Sequence, residues 1–270
     1  MKLLCFGAGS IGRRHIKNAM ALGHNIVAAD PLAAAVPNVV WYSDWRRALS
    51  EHGDAAGVIV ASPTAAHMEQ AWSVLRANLP VYLEKPVCTT EAIGEFASLL
   101  YDFDKTEAYL KSVAGLQYFF HPAMMDVGQL VFDCGRLEFS GQDALLDRYG
   151  PDVGGIMCLH PLATADRLLG GLVEVDLVTD GTRIRGNTKS MSSGVATYDF
   201  DMSAGPRESW VGGCGRRVAL EPSEIMYVDC LSAWLSILAG GERDERLSSL
   251  DEGWDASYAL SKARRVEAMV

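Results

Sequence analysis

The sequence predicts an α/β protein in which a doubly wound parallel sheet precedes an α/β domain with an open, mainly antiparallel sheet. The first 118 residues alternate short apolar runs with longer helix-patterned segments, as repeated βαβ units do. A glycine-rich turn joins the first apolar run to the first helical segment. Later runs alternate polar and apolar residues between glycine-rich turns, as antiparallel strands with one solvated face do. We therefore predict two domains, 1–118 and 119–270.

Six short apolar runs form the predicted strands of the first domain. Ser, Asp, Thr, Asn, Gly or Pro residues begin or end the helical segments between them. We predict the strands at 2–6, 25–29, 39–42, 57–61, 80–83 and 113–119. We predict the helices at 11–22, 45–51, 65–78 and 90–101.

The second domain is predicted to hold a sheet with helices on one face. We predict its strands at 136–140, 172–179, 191–202, 208–211 and 217–220. Helices are predicted at 161–169, 225–238 and 250–269, and we expect them to cover the apolar face of this sheet. The opposite face would be left open, which favours a homodimer or homotetramer formed through this domain.

Composition limits the classes of partner. The chain has 270 residues, 49% of them hydrophobic, and a formal net charge of −10, and its 24 basic residues form no block. An acidic chain of this kind is unsuited to the phosphates of nucleic acid, so we expect a small-molecule partner. No apolar run is long enough for a membrane span or a signal peptide. The six cysteines lie far apart, which favours reduced thiols, no metal site and a cytoplasmic location.

The glycine-rich turn has the G-x-G-x-x-G spacing of a dinucleotide-binding loop. Gly7 would allow a sharp turn between strand and helix, Gly9 would let the backbone approach a pyrophosphate, and Gly12 would let the helix pack on the sheet. The free backbone amides at the helix start, at Ser10 and Ile11, would receive the phosphate charge. This pattern is typical of the first turn of a Rossmann domain.

An acid follows the second predicted strand at the spacing that this fold requires. Asp30 lies 18 residues beyond Gly12, where a carboxylate binds ribose hydroxyls and repels a 2′-phosphate. We therefore expect NAD rather than NADP. The alternative is that Asp30 only begins the turn before Pro31. Arg13 and Arg14 are interpreted as part of a solvated helix face, with neutralisation of a cofactor phosphate by one of them as the alternative.

Three linked motifs resemble one family of sugar dehydrogenases. The runs are GAGSIGRRH at 7–15, ASPTAAH at 61–67 and YLEKP at 82–86. Their order and spacing are similar to those of the glucose–fructose oxidoreductase and inositol dehydrogenase (Gfo/Idh/MocA) family. The resemblance implies a Rossmann domain, a second domain with an open sheet, and a substrate cleft between them. It also implies hydride transfer between NAD(P) and a carbon of a sugar, nucleotide sugar or cyclitol.

The resemblance implies two catalytic residues. Lys85 of the E-K-P motif would polarise the reacting oxygen, and His160 would carry its proton, since alcohol oxidation needs a base within hydrogen-bond reach of the hydroxyl. Glu84 would help to set the nicotinamide end. The alternatives are a surface Lys85 paired with Glu84 and a His160 buried in the core.

Further residues are assigned to cofactor and substrate on the same basis. Ser62, Thr64 and His67 would line the nicotinamide ribose and pyrophosphate, although Ser62-Pro63-Thr64 is also an ordinary helix start with Thr64 as the N-cap. The residues that would contact a polar substrate are Gln117, Tyr149 and Asp152. The segment 149–152 is equally a turn.

The chain departs from the family pattern at two positions. Ile156 stands four residues before His160, where the family has Asp, and Phe119 stands where many members have Arg. The missing acid leaves three alternatives: Asp152 reaches in, Lys85 and His160 act unaided, or the alcohol chemistry is lost. Other uses of the fold therefore stay open. These are reduction of an imine or double bond, NAD-assisted glycoside cleavage, and NAD binding without catalysis.

Overall fold

The computed structural model describes residues 1–142, 153–179, 183–201, 208–220 and 223–265. The chain forms two compact units. The first contains Met1–Leu116 and Tyr227–Trp254, and the second contains Gln117–Met226 and Asp255–Val270. The chain passes from the first unit to the second between Leu116 and Gln117, close to the expected domain boundary at 118. The segment 227–254, which we expected in the second domain, clusters with the first unit.

A six-stranded parallel sheet forms the centre of the first unit, with strand order β3-β2-β1-β4-β5-β6. Its strands are β1 (Lys2–Phe6), β2 (Asn25–Ala29), β3 (Val40–Tyr42), β4 (Gly57–Val60), β5 (Val81–Leu83) and β6 (Val113–Ala114). Strands β1 and β4 are buried on both faces, as expected where helices cover both sides. The doubly wound parallel sheet is thus confirmed. The last predicted strand, 113–119, is wrong beyond Ala114.

Helices connect these strands close to the predicted positions. They are α1 (Ser10–Ala21), α2 (Trp45–Glu51), α3 (Thr64–Arg76), α4 (Ile93–Phe103) and α5 (Glu107–Leu110). Asp44 caps α2 by accepting a hydrogen bond from the amide of Arg46 at 2.9 Å. Thr106 caps α5 in the same way through the amide of Tyr109.

The second unit begins with a short 3-10 helix at Gln117–Phe120, where a strand was predicted. Its further helices are α6 (Met124–Cys134), which the sequence pattern missed, and α7 (Val153–Leu169). Its main strands are β7 (Arg136–Gln142), β8 (Leu172–Thr179), β9 (Arg183–Ser190), β10 (Val195–Asp201), β11 (Glu208–Gly213) and β12 (Arg216–Ala219). The chain continues with α8 (Glu224–Leu238), α9 (Leu250–Ser261) and β13 (Arg264–Arg265).

These strands form a seven-stranded sheet in the order β12-β11-β7-β10-β9-β8-β13. Within the described strands of this second sheet, only the pairs β7–β10 and β8–β13 are parallel, so the mainly antiparallel prediction is confirmed. On β10, Ala196, Tyr198 and Phe200 are buried, and the residues between them are more exposed. Helix α7 packs against β8, β9 and β10 and covers the buried face.

Helix α8 packs on the parallel sheet, so the prediction that 225–238 covers the second sheet is wrong. Trp234 is fully buried, stacks edge-on to Tyr82 of β5 at 5.5 Å, and donates a hydrogen bond to the carbonyl of Lys111. The Tyr82 hydroxyl contacts the Cys230 sulfur at 3.4 Å. The amphipathic pattern predicts that a helix face is buried, but it does not identify the partner.

The expectation that all six cysteines are reduced thiols is wrong for one pair. Cys134, at the end of α6, and Cys214, in the β11–β12 turn, form a disulfide with Cα atoms 6.0 Å apart. The other four cysteines are free and buried. No helix within the described ranges is long and apolar enough to cross a membrane.

Candidate active site

The glycine loop has the shape that a dinucleotide requires. Gly7 has φ +87°, and a Cβ there would lie 2.5 Å from the Ser62 backbone. A Cβ at Gly12 would lie 2.1 Å from the Gly7 carbonyl oxygen. A Cβ at Gly9, in contrast, would meet nothing within 4 Å. Two glycines are therefore fixed by packing, and the third leaves open space over the backbone, where a pyrophosphate would fit.

Helix α1 begins directly after this loop. Its N-cap residue is Gly9, no side chain caps the helix start, and the first turn contains no acid. The first amides of a helix lack partners inside the helix and attract anions. The backbone amides of Ser10 and Ile11 are therefore suited to hold a phosphate.

Asp30 stabilises the turn that follows it and also contacts the glycine loop. Its Oδ1 accepts hydrogen bonds from the amides of Leu32 and Ala33, at 2.8 and 2.7 Å, and its Oδ2 accepts one from the amide of Ala8 at 2.7 Å. Burial acts to raise the pKa of Asp30, but the three amides and Arg13 outweigh it, so the pKa lies below its usual value. An ionised acid is thus held beside the glycine loop.

Arg13 and Arg14 both contact protein groups. The Arg13 guanidinium donates to the carbonyl of Ala34 at 2.6 Å, within the loop that follows Asp30. Arg14 lies over the Tyr227 ring, 4.4 Å from its centroid. Arg13 is exposed, as expected for a solvated face, whereas Arg14 is half-buried. Arg13 fastens the loop beside the acid to α1.

Ser62, Thr64 and His67 follow β4. Ser62 donates a hydrogen bond to Gln70 Oε1 at 2.6 Å, and Thr64 is the first residue of α3. Pro63, not Thr64, is the N-cap of this helix. His67 is buried, with Nδ1 2.7 Å from the Pro86 carbonyl and Nε2 2.8 Å from the Ser62 carbonyl. Burial lowers the pKa of His67, against the opposing effect of these carbonyls.

The E-K-P motif follows β5 at the same edge of the sheet. Glu84 is buried and Lys85 is half-buried. His15 Nε2 lies 2.7 Å from Glu84 Oε1, and the Lys85 amide donates to Glu84 Oε2 at 3.3 Å. Burial acts to raise the pKa of Glu84, but the His15 hydrogen bond, with the charges of His15 and Lys85, outweighs it and lowers the pKa. Glu84 is therefore an ionised acid inside the unit.

The strand order of the parallel sheet sets the order of the candidate groups along one edge of the sheet. Strands β2, β1, β4 and β5 are neighbours in that order and all are parallel. Their carboxyl ends present Asp30, the glycine loop, Ser62 and Glu84 in succession along one edge. Ligands of open α/β sheets bind at this edge, near the strand where the winding direction changes. An adenosine half would lie toward β2 and a nicotinamide half toward β5.

His160 lies on α7 in the second unit. It is 5% exposed, and its ring stacks on Tyr118 with a centroid separation of 4.1 Å and an interplanar angle of 4°. Thr164 follows one turn later and is also buried, and its hydroxyl has no hydrogen-bond partner among the described residues. Gln117, assigned to the substrate, is fully buried in the 3-10 helix.

Phe119, which stands where many family members have Arg, is contacted by an arginine of helix α7. Arg167 lies over the Phe119 ring, 3.6 Å from its centroid. His160, Thr164 and Arg167 have the spacing i, i+4, i+7 and share one face of α7. A guanidinium of α7 thus lies beside position 119, where many family members have Arg.

The structure places Ile156 within α7, one turn before His160. The helix from Val153 to Leu159 contains no carboxylate. Two assigned residues, Tyr149 and Asp152, lie outside the described residues. No cluster of His, Cys, Asp or Glu that could hold a metal ion occurs in the described part of the chain.

Three contacts near these sites were not expected from the sequence. They are the His15–Glu84 pair, the Tyr118–His160 stack and the Arg167–Phe119 contact. The i, i+4, i+7 spacing after His160 could have indicated Thr164 and Arg167. No local pattern indicates His15, because its partner is 69 residues away in the sequence.

The fold and the glycine loop define an NAD-binding Rossmann domain. Residues 1–108 match the sequence profile of the Gfo/Idh/MocA family, described as an oxidoreductase family with an NAD-binding Rossmann fold. The match covers the Rossmann domain, which is therefore similar to the NAD-binding domains of that oxidoreductase family. No curated protein matches the chain in sequence.

Solved structures of dehydrogenases share the fold of the whole chain. The WlbA dehydrogenase from Thermus thermophilus, in complex with NAD and UDP-GlcNAcA, has a TM-score of 0.78 and 16% identity, covering 99% of this chain and 96% of its own. A myo-inositol dehydrogenase from Corynebacterium glutamicum has a TM-score of 0.77 and 15% identity, covering 96% and 94%. The UDP-N-acetylglucosamine 3-dehydrogenase GnnA from Acidithiobacillus ferrooxidans has a TM-score of 0.75 and 17% identity, covering 96% and 95%.

Proposed function

We propose that the protein transfers hydride between NAD and a hydroxyl-bearing carbon of a sugar, nucleotide sugar or cyclitol. The observation that carries the proposal is the position of Lys85, at the end of β5 beside the buried, ionised Glu84 and on the same sheet edge as the glycine loop. Dehydrogenases that share the fold, including those complexed with a nucleotide sugar or named for inositol, support the substrate class.

The proposed mechanism assigns one task to each group. The glycine loop and the amides of Ser10 and Ile11 hold the pyrophosphate, and Asp30 holds the adenosine ribose. Bound NAD supplies the hydride acceptor. Lys85 donates a hydrogen bond to the reacting oxygen and polarises it, and His160 accepts the hydroxyl proton as the alcohol is oxidised. The Tyr118 stack keeps the imidazole of His160 in one plane.

Lys85→Ala tests this assignment. NAD binding should stay within several-fold of the wild type, because Lys85 is outside the glycine loop, while NADH formation at 340 nm should be lost. Substrates to test are myo-inositol, scyllo-inositol, UDP-GlcNAc and its uronic acid. Lys17→Ala removes an exposed lysine of α1 and is the matched control. Unchanged turnover of Lys85→Ala would overturn the role of Lys85.

A second chemistry is favoured by Ile156, which stands where the family that the chain resembles has Asp. The helix positions 153–159 that directly precede His160 contain no carboxylate. Imine or double-bond reduction, and glycoside cleavage with bound NAD, do not need the same proton relay. NAD binding without NADH formation across the panel would favour these reactions or a non-catalytic NAD-binding protein.

We also propose self-association through the open face of the second sheet, in a protein that works in the cytoplasm. Ser140, Thr197, Asp199 and the half-exposed Trp210 line a pocket on that face. Trp210→Arg should shift the wild-type dimer or tetramer toward monomer in sedimentation velocity. A monomeric wild type would overturn this part of the proposal.

A further inference from the structure

Two buried histidines of the first unit have no part in the proposed proton transfer. His15 of α1 is fully buried, and His67 of α3 is 1% exposed. Both contact the E-K-P segment. His15 contacts Glu84, and His67 contacts the carbonyl of Pro86. Lys85 lies between these two contact points in the sequence.

The His15–Glu84 pair is a directed hydrogen bond in the interior. The two side chains are 0% and 5% exposed. A carboxylate only accepts, so His15 Nε2 is the donor across the 2.7 Å contact. A buried acid without such a donor would take up a proton or turn toward solvent. The rings of Tyr82 and His15 meet edge to face, with their centroids 5.0 Å apart. This contact helps to hold the imidazole in its orientation.

The backbone of the E-K-P segment is held separately. The Glu84 amide donates to the carbonyl of Val60 at 2.9 Å, and His67 Nδ1 lies 2.7 Å from the Pro86 carbonyl. These contacts do not involve His15. Loss of the imidazole would therefore remove the donor on Glu84 Oε1 without releasing the backbone on either side of Lys85.

Helix α1 joins this carboxylate to the glycine loop. The helix starts at Ser10, and His15 lies five residues further on, a rise of about 7.5 Å. The same rigid element thus presents amides to the pyrophosphate and an imidazole to Glu84. The two halves of the proposed NAD site share one helix.

We propose that His15 is a positioning residue: it fixes the Glu84 carboxylate beside Lys85 and so shapes the nicotinamide half of the site. The proposal rests on the function proposed above for the E-K-P segment. His15 touches neither reacting atom and acts through Glu84. Its loss should weaken recognition of the nicotinamide end and leave the adenosine end intact.

The experiment compares NAD with ADP-ribose, which contains the adenosine and pyrophosphate but lacks the nicotinamide. Binding of both is measured by calorimetry for the wild type, His15→Phe and His15→Gln. Phe keeps the ring volume without a donor, and the Gln amide returns a donor near the position of Nε2. In His15→Phe the preference for NAD over ADP-ribose should fall about tenfold, since a charge-assisted hydrogen bond is lost. ADP-ribose affinity should change less than about threefold, and Gln should restore the preference.

A second readout is the reactivity of the Lys85 amine in the protein without cofactor. Reductive methylation with formaldehyde, followed by peptide mass spectrometry, gives its rate relative to exposed Lys17 of α1. In His15→Phe the Glu84 carboxylate is no longer fixed beside Lys85, so this relative rate should change about threefold or more. His15→Gln should return the rate toward the wild-type value.

The outcomes separate this proposal from the proposed function. Failure of wild-type protein to bind NAD more tightly than ADP-ribose would count against the proposed nicotinamide site as a whole. An unchanged preference and unchanged Lys85 labelling in folded His15→Phe would overturn the role of His15 alone. If His15→Phe does not fold, Glu84→Gln removes the charge and keeps the shape. A wild-type preference and wild-type Lys85 labelling in that variant would also overturn the proposal.

Discussion

The carboxylate of Asp30 accepts a hydrogen bond from the backbone amide of Ala8, with 2.7 Å between Oδ2 and nitrogen. The acid at the end of β2 is therefore tied to the middle of the loop that follows β1. Its other oxygen holds the amides of Leu32 and Ala33. A carboxylate offers about four lone-pair positions, so these three bonds leave capacity for a ribose hydroxyl. The acid can shape its own loop and still bind cofactor.

We expect Asp30→Ala to weaken NAD binding and to relax discrimination against NADP. A hydrogen bond to a charged group contributes about 1.5–3 kcal/mol, so NAD affinity should fall about tenfold or more. Removal of the charge also removes its repulsion of a 2′-phosphate. Calorimetric titration with both cofactors measures the change. Asp54→Ala, which removes an exposed carboxylate paired with Lys2, should alter neither affinity. An unchanged NADP-to-NAD ratio in Asp30→Ala would contradict the assignment.

The fold of the first unit could be predicted because its apolar runs and its turn and cap residues indicate the same strands and helices. Apolar runs such as Lys2–Phe6 stand beside strong turn and cap residues, and parallel strands bring their carboxyl ends to one edge. Gly7, Asp30 and Lys85 therefore could be assigned to one edge from spacing alone. Their partners could not, since His15 and Glu84 are 69 residues apart in the sequence and meet only after the sheet forms.

The second unit was predicted less fully. Strand β9 alternates buried and exposed residues, but its buried set includes Thr188 and Ser190, which give little hydrophobic signal. Helix α6 contains Gly128 and exposes both Met125 and Phe132, so its pattern lacks a clear polar face. Arg167 could not be paired with Phe119, because the contact depends on how the 3-10 helix meets α7.

Asp30 should also make stability depend on pH in the acid range. Its pKa in the folded protein lies below the usual value, so the unfolded chain binds more protons there and stability rises with pH. The contribution is complete above the unfolded pKa of about 3.9 and is lost as pH falls through the lower folded pKa. The difference in free energy of unfolding between wild type and Asp30→Asn should stay constant from about pH 8 to 5 and shrink below about pH 4. Urea unfolding measures it; a difference that grows on acidification would contradict the sign.

Gly9 and Gly12 should respond differently to the same added methyl group. A Cβ at Gly9 meets nothing within 4 Å, so Gly9→Ala should fold normally and lose NAD affinity where the pyrophosphate approaches. A Cβ at Gly12 would lie 2.1 Å from a backbone oxygen. Gly12→Ala should therefore lose both NAD binding and about 1–3 kcal/mol of stability.

Gly94→Ala is the matched control for both glycine variants. Gly94 lies in α4, and a Cβ there also meets nothing within 4 Å. Alanine in a helix should add about 0.5–1 kcal/mol of stability, with no change in NAD affinity. Thermal unfolding and NAD titration on the same samples separate the two effects. Wild-type NAD affinity in Gly9→Ala would contradict the proposed pyrophosphate position.

Arg167 should stabilise the second unit through the Phe119 ring. A guanidinium 3.6 Å from the ring centroid makes a cation–π contact, which contributes about 0.5–2 kcal/mol according to its burial. Arg167→Met should lower the free energy of unfolding by about that amount. Arg185→Met removes an exposed pair with Asp199 and should cost less than about 1 kcal/mol. A double-mutant cycle with Phe119→Leu isolates the ring contact, because Leu keeps an apolar side chain but removes the π face. A coupling energy near zero would show that other contacts of Arg167 hold the guanidinium in place.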